Sequence, residues 1–195
     1  MLAQNISMEL AAGSIETTLF GALALGTRYL VAAVFALAAL HKLRTRLEFA
    51  GVIYQYRLTP KGSEHWLSWL IPSLELSIAV ALFVLPQVGA LLAAGLIASY
   101  CIAIGVNLLR GRHHIDCGCG GASTPLSGAL VWRNLLLISL LTASFVTTGS
   151  TQLPIWAMAL AATLAAAMGA LYLCFNQLQT NRGIYRRLWL GEQVG

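Results

Sequence analysis

Between Trp66 and Leu109 the chain carries a single charged side chain, Glu75. A stretch this long and this apolar has few ways to fold in water, because nothing in it can face solvent. A bilayer removes the difficulty. About 20 mostly apolar residues cross roughly 30 Å of hydrocarbon as a helix, the one open structure that satisfies its own backbone there. The rest of the chain agrees. Its 195 residues include only twelve Lys and Arg and seven Asp and Glu, and 58% are hydrophobic. A typical globular domain is about 25% charged. Soluble and disordered classes are excluded together, since too much apolar surface would meet water in either.

Five spans are predicted, at about residues 17–40, 66–85, 88–109, 126–148 and 154–175. Pro86 and Gln87 make a tight turn between the second and third, and Pro154 opens the fifth. The start of the fourth is the least defined, since its strongest apolar run begins at Leu135. Residues 1–16 read as a short tail without the features of a secretory signal. The expected fold class is all-α, a polytopic transmembrane helix bundle with four core helices and a peripheral fifth C-terminal span. Residues 1–195 read as one integral membrane domain. Phe49 to Pro60, with Phe49, Val52, Ile53, Tyr56 and Leu58 apolar, reads as an amphipathic helix capping the bundle.

Loop charge is strongly one-sided. Lys42, Arg44, Arg46, Arg57 and Lys61 follow the first span, Arg110 and Arg112 the third, and Arg182, Arg186 and Arg187 the fifth. The opposite turns and the N-terminal tail have none. The positive-inside rule then gives an N-out, C-in multi-pass protein, with both long loops cytoplasmic. The basic residues border apolar blocks and form no basic face, so nucleic acid is not an expected partner; the lipid bilayer is.

The densest chemistry lies in His113-His114-Ile115-Asp116-Cys117-Gly118-Cys119-Gly120-Gly121. The glycines permit the backbone conformations that a Cys-x-Cys ring requires. Strain in so small a ring would make its disulfide oxidising. Arg112, His113 and His114 could favour the thiolate, and Asp116 opposes them. Cys117 and Cys119 are therefore the candidate redox pair. A zinc site of His113, His114, Cys117 and Cys119 has suitable ligand types but poorly suited spacing. An incidental glycine-rich turn is the plain alternative. Cys101 and Cys174 fall inside spans, where a thiol packs as a small apolar group.

Glu75 lies well inside the second span, where a carboxylate costs about 2.5–3.5 kcal/mol on insertion scales. It is expected to face the bundle and meet Lys42 or Arg133, as an ion pair or as a proton-handling group for the thiols. Arg28, toward the other side, reads as a snorkelling anchor. His41, at the end of the first span, reads as structural.

Several segments in order carry a resemblance. They are His41-Lys42-Leu43-Arg44, Tyr56-Arg57-Leu58-Thr59-Pro60, Pro72-Ser73-Leu74-Glu75-Leu76, Asn107-Leu108-Leu109-Arg110-Gly111, Cys117-Gly118-Cys119 and Arg133-Asn134. From about Arg28 to Leu141 the chain resembles the MauE family, a branch of the redox-associated MauE/DoxX-like membrane proteins. One position departs: relatives often carry an aromatic residue after the second cysteine, where this chain has Gly120. The resemblance implies a role in maturing methylamine dehydrogenase, a periplasmic enzyme whose small (beta) subunit is rich in disulfides and carries a tryptophan-derived quinone. It implies action with the thioredoxin-like partner MauD in processing, transport or disulfide formation of that subunit.

Two further function classes compete with a thiol–disulfide factor. One is a non-catalytic membrane chaperone or scaffold for the same subunit or its partner. The other is a small transporter using Glu75, disfavoured by the absence of repeats. The sequence carries no quinone- or haem-binding signature, and no cofactor is expected.

Overall fold

The computed structural model describes residues 2–112, 115–118, 124–146 and 153–191. Among the described residues the regular structure is all helical apart from one isolated β-bridge, Asp116 with Pro125. The helices are α1 (Leu2–Arg44), α2 (Arg46–Tyr56), α3 (Glu64–Val84), α4 (Pro86–Leu109), α5 (Gly128–Val146) and α6 (Ile155–Gly191). Within α1, α3, α4 and α6, segments Ile15–Arg44, Glu64–Val84, Pro86–Leu109 and Ile155–Arg182 are long and apolar enough to cross a membrane. The apolar part of α5, Gly128–Ser144, is shorter. At about 1.5 Å per residue, the 19 residues of α5 still reach close to the thickness of a hydrocarbon core.

Four helices share the core. Leu30, Val31 and Phe35 of α1, Ile78 and Leu82 of α3, Ala93 and Ile97 of α4, and Leu137 and Leu141 of α5 are all buried together. Large apolar side chains point the other way on the same helices, including Leu37, Phe83, Leu91, Ile102 and Leu136, each at least half exposed. A helix apolar on both faces, with only one face buried by protein, is built for lipid. The chain is a multi-pass membrane protein, and α6 is its peripheral helix.

Small residues hold α6 in place. Ala22 of α1 and Ala157 and Ala161 of α6 are fully buried against one another. A Cβ on Gly26 would stand 2.9 Å from the Ala161 carbonyl oxygen. Ala22 with Gly26, and Ala157 with Ala161, are small residues four apart on facing helices, the spacing that lets membrane backbones approach closely.

The hairpin from α3 to α4 is tighter than the sequence suggests. Pro86 and Gln87 are not the turn but the first residues of α4, and Leu85 alone joins the helices. Proline suits that first position, where its missing N–H would have no partner in any case. Gly89 then lies against α3: a Cβ there would stand 2.5 Å from the Leu82 backbone nitrogen.

Three other boundaries differ from expectation. Residues expected as an N-terminal tail continue α1 back to Leu2, and α6 runs past Phe175 to Gly191. The capping helix occupies Arg46–Tyr56, not Phe49 to Pro60, because Arg57 turns left-handed (φ 49°) and ends it. The fourth span starts at Gly128, because Leu126 is buried in a loop cluster instead of facing lipid.

Replacing Gly89 by Ala should force α3 and α4 apart and cost about 1–3 kcal/mol, the range for overpacking. Gly95, on the same helix α4, has nothing within 4 Å of a Cβ. Gly95→Ala should therefore be neutral or stabilising by up to about 1 kcal/mol. Thermal unfolding of both variants in one detergent checks the contrast; equal melting temperatures would refute it.

Candidate functional site

Ile115 and Cys117 pair with Leu126 and Thr124 to form the base of the loop between α4 and α5. The Cys117 N–H donates to the Thr124 carbonyl at 2.9 Å, and the Leu126 N–H to the Ile115 carbonyl at 3.0 Å. Asp116 fixes the turn from within: its Oδ1 accepts from the N–H groups of Gly118 and Thr124, each at 3.2 Å. This is the positive role of a residue that the sequence presents only as an opposing charge. Ile115, Cys117 and Leu126 are buried with Ile104 of α4 and Leu130 of α5, so the base of the loop is packed onto the bundle.

Gly118 has a φ of +67° and sits close to α2, where a Cβ would stand 3.0 Å from a Val52 methyl and 3.4 Å from the Phe49 ring. Both the backbone conformation and the space therefore call for glycine. Tyr56, the last residue of α2, donates its O–H to the Cys117 carbonyl at 3.3 Å. Burial pushes the Tyr56 phenol well above the usual tyrosine value and the nearby Asp116 carboxylate adds to the effect, so the group stays a donor. From the other side, the hydroxyls of Thr124 and Thr180 of α6 are 3.1 Å apart. The cysteine loop, α2 and the C-terminal part of α6 thus gather at one end of the bundle, as the parity of the spans requires.

Cys117 is disulfide-bonded and only 9% exposed. Cys101 and Cys174 are free thiols, and Cys174 is exposed on α6 instead of packed as expected. Cys119, His113 and His114 lie outside the described residues, so the zinc grouping falls there as well. Among the described residues no group of three or more metal-ligating side chains occurs.

Glu75 is 1% exposed and faces the bundle. Its Oε1 accepts from Lys42 Nζ and, at 2.7 Å, from the Tyr100 hydroxyl, while its Oε2 has no hydrogen-bond partner. Lys42 is itself 4% exposed and lies over the rings of Phe49 and Tyr100. Arg133 is held otherwise, by Asn134 and by Asn176 of α6 at 2.5 Å, with its guanidinium over Tyr172. A cavity of about 40 Å³ lies between the two groups, lined by Glu75, Lys42, Tyr100, Arg133 and Asn134 among others.

A larger pocket of about 180 Å³ lies under α2. Phe49, Val52, Ile53 and Tyr56 of α2, Ile71 of α3, Ala103 and Ile104 of α4, and Cys117 and Gly118 line it, with Lys42 and Tyr100. The latter two line both cavities, and so connect the buried carboxylate with the disulfide loop. Reasoning from sequence missed Tyr100 and Asn176, and it named Tyr56 and Asn134 without their contacts. A lone tyrosine in an apolar span carries no signal of its own; only the buried carboxylate of Glu75, which accepts more than one hydrogen bond, could have prompted a search for further donors.

The family model described as methylamine utilisation protein MauE matches residues 20–148. The chain belongs to the MauE family. It is 40% identical over 117 residues to the methylamine utilization protein MauE of Paracoccus denitrificans, covering 58% of this chain and 63% of that one. It is 46% identical over 99 residues to the protein of the same description from Methylophilus methylotrophus, covering 50% and 52%. A third such protein, from Paracoccus versutus, is 41% identical over 117 residues, covering 58% and 63%. The chain thus spans between half and two thirds of the length of these curated relatives. No solved structure matches it. The matched region contains α2–α5 and most of α1, with Lys42, Glu75, Tyr100 and the cysteine loop, and ends before α6.

Lys42→Met should leave Glu75 buried and unneutralised, at a cost of about 3–5 kcal/mol. Lys42→Met with Glu75→Leu removes both charges and should recover most of that loss. A double-mutant cycle by denaturant unfolding in mixed micelles measures the coupling. Additive effects of the two single changes would mean that the pair does not hold the site together.

Proposed function

We propose that this protein is a membrane accessory factor for maturation of methylamine dehydrogenase, working through a thiol–disulfide pair of Cys117 and Cys119. The observation that carries the reading is the disulfide at Cys117, in the base of a loop where five hydrogen bonds join the described residues. Of the four cysteines in the chain, Cys101 and Cys174 are free, which favours Cys119 as the partner sulfur. A Cys-x-Cys disulfide can be opened by an external thiolate through a mixed disulfide, the intermediate of every such exchange. The MauE relatives carry methylamine utilisation in their names, which sets the system in which the exchange would serve. Its partners in this reading are the thioredoxin-like protein MauD and the small subunit of methylamine dehydrogenase, whose disulfides are the product. Glu75 and Lys42 support the pair by fixing the end of the bundle on which the loop rests.

The protein resides in the bacterial inner membrane in this reading. Charge counting gives N-out, C-in, since ten of the twelve Lys and Arg follow the first, third and fifth spans. On that orientation the pair relays electrons for its partner, because direct oxidation of an exported subunit needs a loop on the oxidising side.

Replacing Cys117 and Cys119 together by Ser tests the chemistry. Growth on methylamine and the disulfide content of the small subunit should both be lost, while the membrane level of the variant stays normal. Undiminished dehydrogenase would instead support a scaffold that needs no thiols. A thiol reagent that does not cross the membrane tests the orientation. Protection of both cysteines in intact spheroplasts after mild reduction agrees with the charge rule; labelling would invert the topology.

A further inference from the structure

The pocket beneath α2 has a composition that the proposed exchange does not use. Its walls are almost wholly apolar, yet a buried ammonium, Lys42, lines one part and the disulfide-bonded Cys117 another. Lys42 Nζ lies 5.4 Å from the centre of the Phe49 ring and 5.3 Å from that of Tyr100, and both rings line the pocket. An ammonium has three N–H donors. Glu75 takes one of them and no other hydrogen bond to Lys42 occurs among the described residues, so a buried cation retains donors beside an apolar chamber. The volume is that of one substituted six-membered ring: an apolar cavity of about 150 Å³ binds benzene, and this one is about 180 Å³. Leu58 and Thr59 line it and are exposed, so the chamber reaches the surface.

A ligand for this site must be flat, apolar and able to accept a hydrogen bond or negative charge on the Lys42 side. If it is also to serve the sulfurs, it must take two electrons. We propose that the pocket binds the ring of a membrane quinone, which reoxidises the Cys117–Cys119 dithiol. The inference rests on the thiol–disulfide reading and supplies its electron acceptor. Two thiols lose two electrons and two protons, and one S–S bond forms. The quinone gains both electrons and both protons, two O–H bonds form, and it leaves as quinol into the bilayer. Lys42 stabilises charge on the ring oxygen as it develops, an electrostatic effect that a water-poor pocket strengthens. Quinones move within the bilayer, so the assignment holds for either orientation of the loop.

The test uses the full chain in lipid nanodiscs, titrated with decylubiquinone and, as a ring-free control, decanol. Saturable quinone binding that decanol does not displace is expected, and it should persist when Cys117 and Cys119 are both Ser. Ala103→Phe fills the chamber and should weaken binding about tenfold or more, equivalent to about 1.4 kcal/mol or more. Protein reduced beforehand should yield one quinol per disulfide regained. A photoreactive azidoquinone needs no substitution and should label peptides that line the chamber, from α1 near Lys42, α2, α3, α4 or the cysteine loop, which guards against misfolding of the Ala103 variant. Absence of saturable binding, full displacement by decanol, or labelling confined to other helices would overturn the site. A reduced pair that exchanges with a thioredoxin-like protein but stays reduced with quinone present would overturn the acceptor and leave the thiol–disulfide reading standing. Quinone binding with intact maturation in the double-Ser strain would leave the binding site standing and overturn both the thiol–disulfide reading and the acceptor role that rests on it.

Discussion

A carboxylate among transmembrane helices must find a cation or lose its charge, and the position of Glu75 organises much of this molecule. The isolated ion would face a desolvation penalty of several kcal/mol. Lys42, at the far end of α1, meets it, and Tyr100 of α4 adds a neutral donor. Three helices are thereby locked at one level of the bundle. The same lysine is roofed by Phe49, which places α2 over that level. Arg46 of α2 over the Trp69 ring of α3, 4.6 Å to its centre, fixes the cap from its outer side. Gly118 then fits against Phe49 and Val52, and the cysteine loop takes its place on the cap. The chain of contacts runs from a buried charge to the disulfide without a gap.

That order explains why polar groups concentrate at one end. Asn107, Asn134 and Ser68 are buried near it, and Arg133 ties α5 to α6 through Asn176. The opposite half of the bundle uses small residues and aliphatic packing, as at Gly26 and Gly89. Packing of that kind gives affinity between helices in lipid, where there is no hydrophobic driving force between them. Directional contacts at the other end then fix which residues meet.

Much of this was legible in the sequence, and the reasons are physical. Hydropathy reports transfer into lipid, so the spans could be read, while the peripheral place of the last helix followed from a family resemblance that stops before it. It says nothing about where a helix stops once outside the bilayer, which is why α1 and α6 run beyond their expected ends. Leu126 misled for a related cause: an apolar residue buried by a loop looks the same as one facing lipid. The cost of burying Glu75 told that it needs a cation, and Lys42 and Arg133 were the two within reach by parity. Which of them meets it depends on what else holds Arg133, and its partner Asn176 lies 43 residues away on another helix. The pocket was illegible because its lining comes from α1, α2, α3, α4 and two loops, and apart from Lys42 and Cys117 its residues are unremarkable where they stand.

The account centres on a closed Cys117–Cys119 disulfide in the resting protein. Its most direct test is mass spectrometry of the wild-type chain, extracted from membranes under acid quench and alkylated before and after reduction. The account predicts that the peptide containing both cysteines is unmodified before reduction and gains two alkyl groups after it, while Cys101 and Cys174 alkylate without reductant once the chain is denatured. Alkylation of Cys117 and Cys119 in the unreduced sample, or a disulfide joining either to Cys101 or Cys174, would contradict it.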